Sequence, residues 1–206
     1  MIENIKRQLT KPLPGRPAQY KMAHAVRVNY PPPPPDARVA CVLSLLYPKN
    51  DEWHIVLIER MSTHENDRHS GQISFPGGGL ETSDATLAAG ALREANEEVG
   101  VISDDIELLG QLTDMYIPVS NFLVHPFVGM LNYTPMFIPQ PSEVKSILEI
   151  PLKLLQDPNT IRSTHLKLSK QITLKNVPYY HIQNHIIWGA TAMMLSEFLE
   201  VIRESK

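Results

Sequence analysis

Phe75-Pro76-Gly77-Gly78-Gly79, running through Asp84 into Leu92-Arg93-Glu94-Ala95-Asn96-Glu97-Glu98-Val99-Gly100, is the stretch on which the reading of the chain turns. Ala88, Ala91, Leu92, Ala95 and Val99 recur at helical spacing, and Gly100 stands where a left-handed cap would end a helix. Ser83 or Asp84 is expected to cap its start. On such a helix Glu94 lies three residues before Glu97 and four before Glu98, so the carboxylates share one face, beside the apolar stripe rather than in it. Like charges so close repel one another. A hard divalent cation that prefers oxygen ligands is their natural counter-charge. The glycine run upstream is expected to turn, and without β-carbons its backbone can come close to a cation or a phosphate. Taken singly, an acidic helix end is ordinarily a solvated face and a glycine triplet a turn. Together they read as a cradle for metal and diphosphate.

The combination resembles the Nudix box, in which Gly and Glu precede Arg-Glu-apolar-x-Glu-Glu-x-Gly-apolar at fixed spacing. Arg93, Glu94, Glu97, Glu98, Gly100 and Val101 match that pattern. The first acid is displaced: counting back from Arg93 puts Ala85 in its place, whereas counting forward from Gly78 puts Asp84 there, so one residue is inserted and Asp84 or Glu81 replaces the acid. The resemblance implies that Glu94 and Glu98 bind magnesium or manganese. It implies further that Glu97 joins them or acts as a base, and that Arg93 orients a carboxylate.

The rest of the chain fits a single sizeable domain. Its 206 residues can bury a real core, and a net charge of −3 gives no electrostatic reason to expect a nucleic-acid polymer as partner. The longest apolar run, Ile186 to Leu195, is too short and too polar at its centre to span a bilayer, so no membrane partner is expected. The chain from Met1 onward shows no charged-then-apolar leader pattern, and its one cysteine, Cys41, is read as inert core. A cytoplasmic location is expected.

Residues 1–37 read as a proline-rich N-terminal extension, with a short helix through Leu9 and five prolines from Pro31 to Pro35, and 38–206 as the hydrolase domain. The prolines are read as a spacer that lays the extension over the domain or over a dimer partner, so a homodimer is among the expected partners. Val39 to Leu46 and Trp53 to Arg60 are predicted to form an antiparallel hairpin around the turn Pro48–Glu52. His64, Arg68 and His69 mark a polar loop that enters the glycine turn and could touch substrate. Ile106–Thr113 and Phe122–Leu131 read as strands, the second with an edge position or bulge at Pro126 because proline lacks a ladder donor. Glu143 reads as a helix-initiating acid, Leu152–Gln156 as a short helix, Arg162–His181 as a hairpin, and Ile187–Ile202 as a long amphipathic helix in which Met193 and Met194 fill gaps. Strands with two helices that each need an apolar surface predict an α/β sandwich, a mixed β-sheet between helical layers.

The resemblance extends past the box. Gly71-Gln72-Ile73-Ser74-Phe75-Pro76-Gly77-Gly78, the strand Phe122–Gly129, Glu143-Val144 with Ile150-Pro151-Leu152, and Ile187–Ala192 look like the coenzyme A diphosphatase branch of the Nudix family. That branch carries an arginine signature ahead of the glycines. Arg60 fits it, Arg68 lies one place too close to Gly71, and Gly79 replaces a frequent basic residue. The resemblance implies a metal-dependent diphosphatase of coenzyme A or its thioesters, giving 3′,5′-ADP and 4′-phosphopantetheine, with Mg2+ or Mn2+ as cofactor and Arg60, Arg68, Gly77 and Gly78 against the small-molecule substrate. Glu97 is the first candidate for the base and Glu143 the second. A diphosphatase of a dinucleotide, nucleotide sugar or oxidised nucleotide is the alternative. A silent reader module is the third reading, disfavoured because Glu94, Glu97 and Glu98 are all retained.

Overall fold

The computed structural model describes residues 1–29, 31–61, 71–167 and 172–205. The chain opens with helices α1 (Ile2–Leu9) and α2 (Gly15–Gln19) and then enters β1 (Arg38–Lys49) and β2 (Glu52–Arg60). Short strands β3 (Ile73–Ser74) and β4 (Gly77–Gly79) precede helix α3 (Leu87–Val99). β5 (Glu107–Gln111), β6 (Met115–Ile117), β7 (Phe122–Met130) and β8 (Val144–Pro151) follow, then α4 (Leu152–Leu155). β9 (Ile161–Lys167), β10 (Thr173–Ile182), β11 (His185–Trp188) and α5 (Gly189–Glu204) complete it. The polar loop with His64, Arg68 and His69 lies outside the described residues, as does Leu168 of the predicted hairpin.

β1 is the axis of an eight-stranded sheet. It runs antiparallel to β2 and β4 and parallel to β7; every other pairing among the described residues is antiparallel. Alternate residues of β1 and β2 feed two cores. Cys41, Leu43, Leu45, Tyr47, Val56 and Ile58 pack against Ala91, Ala95 and Val99 of α3, while Leu46, Ile55 and Leu57 face a layer that includes α1, α5 and the small sheet β9–β11. Strands buried on both faces account for their almost unbroken apolar composition. The expected mixed sheet between helical layers is therefore present, with a second sheet sharing one layer. The N-terminal residues enter that core too: Ile5 and Met22 are buried in it.

Several local expectations change. Gly77–Gly79 is a strand on β1 rather than a free turn, because Val42 and Ala40 hold it in register. Glu143 starts no helix: Val144–Pro151 pairs with β2 along its length, and burial of alternate residues on β2 outweighs the helix-like spacing of Val144, Ile147 and Leu148. The apolar run before α5 divides at Gly189 (φ 64°), its first part forming β11. Pro126 stands inside the sheet, opposite Val42. Its carbonyl accepts from Leu112 N at 2.8 Å, on the side where the neighbouring strand is interrupted between β5 and β6, so the missing donor falls at that break.

Candidate active site

The acidic helix is set by its two ends and by two small side chains. Thr86 caps it, its hydroxyl accepting from Ala89 N at 3.0 Å, in place of Ser83 or Asp84. Asp84 is engaged elsewhere, since its carboxylate takes Arg93 Nε at 2.9 Å and Nη2 at 3.1 Å and also accepts from Glu81 N. Asp84, rather than Glu81 at 3.9 Å, thus stands in for the displaced first acid of the box. Gly100 ends the helix at φ 73°, as its position predicts. Ala91 and Ala95, buried against Cys41, Leu43 and Leu45, let the helix settle close against β1, and this closeness decides where the carboxylates go.

Glu98 is not beside the apolar stripe but buried, with 1% of its surface exposed. Its carboxylate accepts from Gly77 N at 2.7 Å and from Arg60 Nη1 at 3.3 Å. Glu94 lies against Gly78, where a β-carbon would meet its carboxylate oxygens at 2.6 Å. Glu97 is half exposed and bonds to Arg93 at 2.9 Å. Arg93 is the hub of the ridge, reaching Asp84, Glu94 (3.1 Å), Glu97 and the carbonyl of Gly79. The bidentate pairing with Asp84 holds the Asp84 carboxyl below its usual range and the Arg93 guanidinium above its own.

Burial pushes the Glu98 carboxyl up to about 7, against the Gly77 N–H and Arg60, which favour its charge; Glu94 and Glu143 add repulsion. Glu94 is raised as well, again chiefly by burial. Glu143, just before β8, is thus close enough to press on both acids. Among the described residues no three metal-binding side chains already converge as a closed ligand set. The donor chemistry nonetheless fits a hard cation: two carboxylates, both raised by burial, face a glycine strand, and among the described residues Arg60 is the cation bonded to the deeper of them. Cys41, beneath them, is fully buried and its thiol pushed up to about 11, which makes it a poor nucleophile.

Two expected outcomes follow from this arrangement. Gly78→Ala should fold, since the atoms nearest the new β-carbon are the movable end of Glu94, but should displace that carboxylate and cost about a hundredfold in kcat. The second concerns pH. Between about 4.5 and about 7 native Glu98 holds a proton that the unfolded chain has released, so the metal-free protein should lose up to about 3 kcal/mol of stability as pH rises through that range. Thermal melting in a chelator should give a lower Tm at pH 8 than at pH 5, and Glu98→Gln should flatten the slope. A Tm that rises equally in both proteins would show that Glu98 does not carry the effect.

Against Arg60, the partner of Glu98, lies a chamber of about 620 Å3, within the ordinary range for small-molecule sites. Val42, Ile73, Phe75, Val124, Met193 and Met194 form much of its wall, and Arg60 belongs both to the chamber and to Glu98. Sequence reasoning misses this space, because its residues come from distant segments with no shared spacing. Arg68 lies outside the described residues.

The NUDIX domain model matches residues 36–171, and the chain belongs to the Nudix family. It is a hydrolase of pyrophosphate bonds, and enzymes of this family generally use divalent metal ions. It is similar to the uncharacterized Nudix hydrolase NudL of Photorhabdus laumondii, 33% identical over 150 residues that cover 72% of this chain and 77% of the relative. The corresponding NudL of Citrobacter koseri is 33% identical over 130 residues, 63% of this chain and 66% of that protein. The fold is shared with a MutT/nudix family protein from Enterococcus faecalis (TM-score 0.52, 16% identity, 91% of this chain and 73% of that one). It is shared also with the Nudix hydrolase RenU of M. smegmatis (TM-score 0.50, 12% identity, 81% and 84%). No helix among the described residues is long and apolar enough to cross a membrane.

Proposed function

We propose that the protein cleaves the diphosphate of coenzyme A or its thioesters, giving 3′,5′-ADP and 4′-phosphopantetheine or its acylated form. The observation that carries this reading is the junction at Arg60, where a charged cradle for a diphosphate meets a mainly apolar chamber suited to the neutral arm of such a conjugate. Glu94 and Glu98, with Glu97, would hold magnesium or manganese, which when bound neutralises phosphate oxygens and lowers the pKa of a water. Gly77 and Gly78 let the diphosphate lie against the backbone, and Arg60 faces it from the chamber side. Arg93, locked by Asp84, keeps Glu94 and Glu97 in place. Water oxygen bonds to one phosphorus as the bridging P–O bond breaks, and the water's proton passes to a carboxylate. Glu97, the acid nearest solvent on the ridge, is the first candidate for that base, and Glu143 the second.

The experiment is incubation with coenzyme A and Mg2+ or Mn2+, with products identified by mass and compared across a dinucleotide, a nucleotide sugar and an oxidised nucleotide. A 4′-phosphopantetheine product carries the proposal. Turnover of another conjugate with coenzyme A left intact overturns it.

A further inference from the structure

The chamber is closed by parts of the chain outside the matched domain. His24, Val26 and Arg27 come from the N-terminal segment, and Trp188, Gly189, Ala190, Thr191, Met193 and Met194 from the end of β11 and α5. The N-terminal wall is latched deep in the protein. Glu197 of α5, with no exposed surface, accepts from Gly15 N at 3.1 Å, Gln19 Nε2 at 2.8 Å, and Thr113 through both its N–H and hydroxyl, while Ser196 Oγ donates to the carbonyl of Ala18. The segment then crosses to the chamber, where Arg27 Nη2 donates to the carbonyl of Tyr116 and His24 Nε2 bonds the carbonyl of Lys175.

The mouth is unusually apolar for a protein surface. Val26, Val119 and Ile172, from three separate segments, line it with 55%, 57% and 54% of their surface exposed. Inside, Met193 and Met194 supply adaptable walls, and Ser74 Oγ is buried without a hydrogen-bond partner among the described residues. An unsatisfied hydroxyl in an apolar chamber suits a chain that carries an occasional carbonyl.

We infer that the N-terminal segment, latched through Glu197, is a specificity element: it completes a chamber that takes the aliphatic arm of an acyl thioester carried on the substrate's diphosphate. This rests on the diphosphatase reading above. Arg60, which lines the chamber and bonds Glu98 of the cradle, joins the two, and the chamber's volume and apolar rim suit such an arm.

The test compares acetyl, hexanoyl and decanoyl thioesters with the unacylated conjugate, using full-length protein and the surface variants Val26→Asp and Val119→Asp. Wild-type kcat/KM should rise about tenfold or more from the unacylated to the hexanoyl compound, and that ratio should fall about tenfold in each variant. S-decanoyl pantetheine, which has no diphosphate, serves as a binding probe by calorimetry. Probe binding to wild type that is lost in Val26→Asp supports the chamber even if no conjugate is cleaved, in which case the diphosphatase reading alone fails. Cleavage indifferent to acylation, with no probe binding, overturns the chamber and leaves the diphosphatase reading standing.

Discussion

Glu98→Gln should lower kcat on the diphosphate substrate on the order of 10³-fold, about 4 kcal/mol in the barrier, while leaving the metal-free protein as stable as wild type or more so. The two halves of this result come from one geometry. Glu98 is buried, meets Gly77 N and Arg60, and is pressed by Glu94 and Glu143, so without a cation its charge is a liability. A glutamine oxygen can still accept from Gly77 N, and the repulsion disappears. With a cation in place, the loss of the deeper carboxylate removes a ligand. Steady-state kinetics over a range of Mn2+ concentrations and thermal melting in chelator check both halves. Equal losses of activity and stability would make Glu98 a structural acid instead.

The second large effect is on folding. Gly77→Ala should destabilise the protein by about 3 kcal/mol or more. Gly77 has a φ of 150°, and a β-carbon there would lie 2.4 Å from the carbonyl oxygen of Cys41 and 2.6 Å from Cα of Val42. Those atoms belong to β1, the axis of the sheet, and cannot yield as the end of a side chain can. Urea denaturation of wild type and variant gives the difference directly. A midpoint within error of wild type would mean that β4 can shift away from β1 at no cost. Gly78→Ala is the useful contrast, because one position meets backbone and its neighbour meets Glu94.

Helix α3 and its acids are legible in the sequence because several constraints coincide: apolar residues at helical spacing, Gly100 where a left-handed cap is needed, and acids at 94, 97 and 98. The N-terminal cap is not, because Asp84, a good capping residue by type, is held by Arg93, which leaves Thr86 to serve. The depth of Glu98 is illegible for a different reason. Periodicity places a residue on a face of a helix, but the alanines at 91 and 95 decide how near that face comes to the sheet, and that is a tertiary distance. Strands β4, β8 and β11 share another cause. Each has a local pattern compatible with a turn or helix, and pairing with β1, β2 or β10 overrides it. The chamber is invisible in principle, since lining residues such as Val26, Val42, Arg60, Ile73, Val124 and Met193 are adjacent only in the folded chain.

The Glu197 latch also bears on the order of assembly. Residues 1–22 leave the ribosome before any strand of the sheet, yet the surface on which they settle includes α5, which follows all of the strands in the chain. The N-terminal segment must therefore wait for a helix that follows every strand in the chain, with Ile5 and Met22 uncovered meanwhile. Pulsed hydrogen exchange during refolding should find the amides of α1 protected no sooner than those of α5.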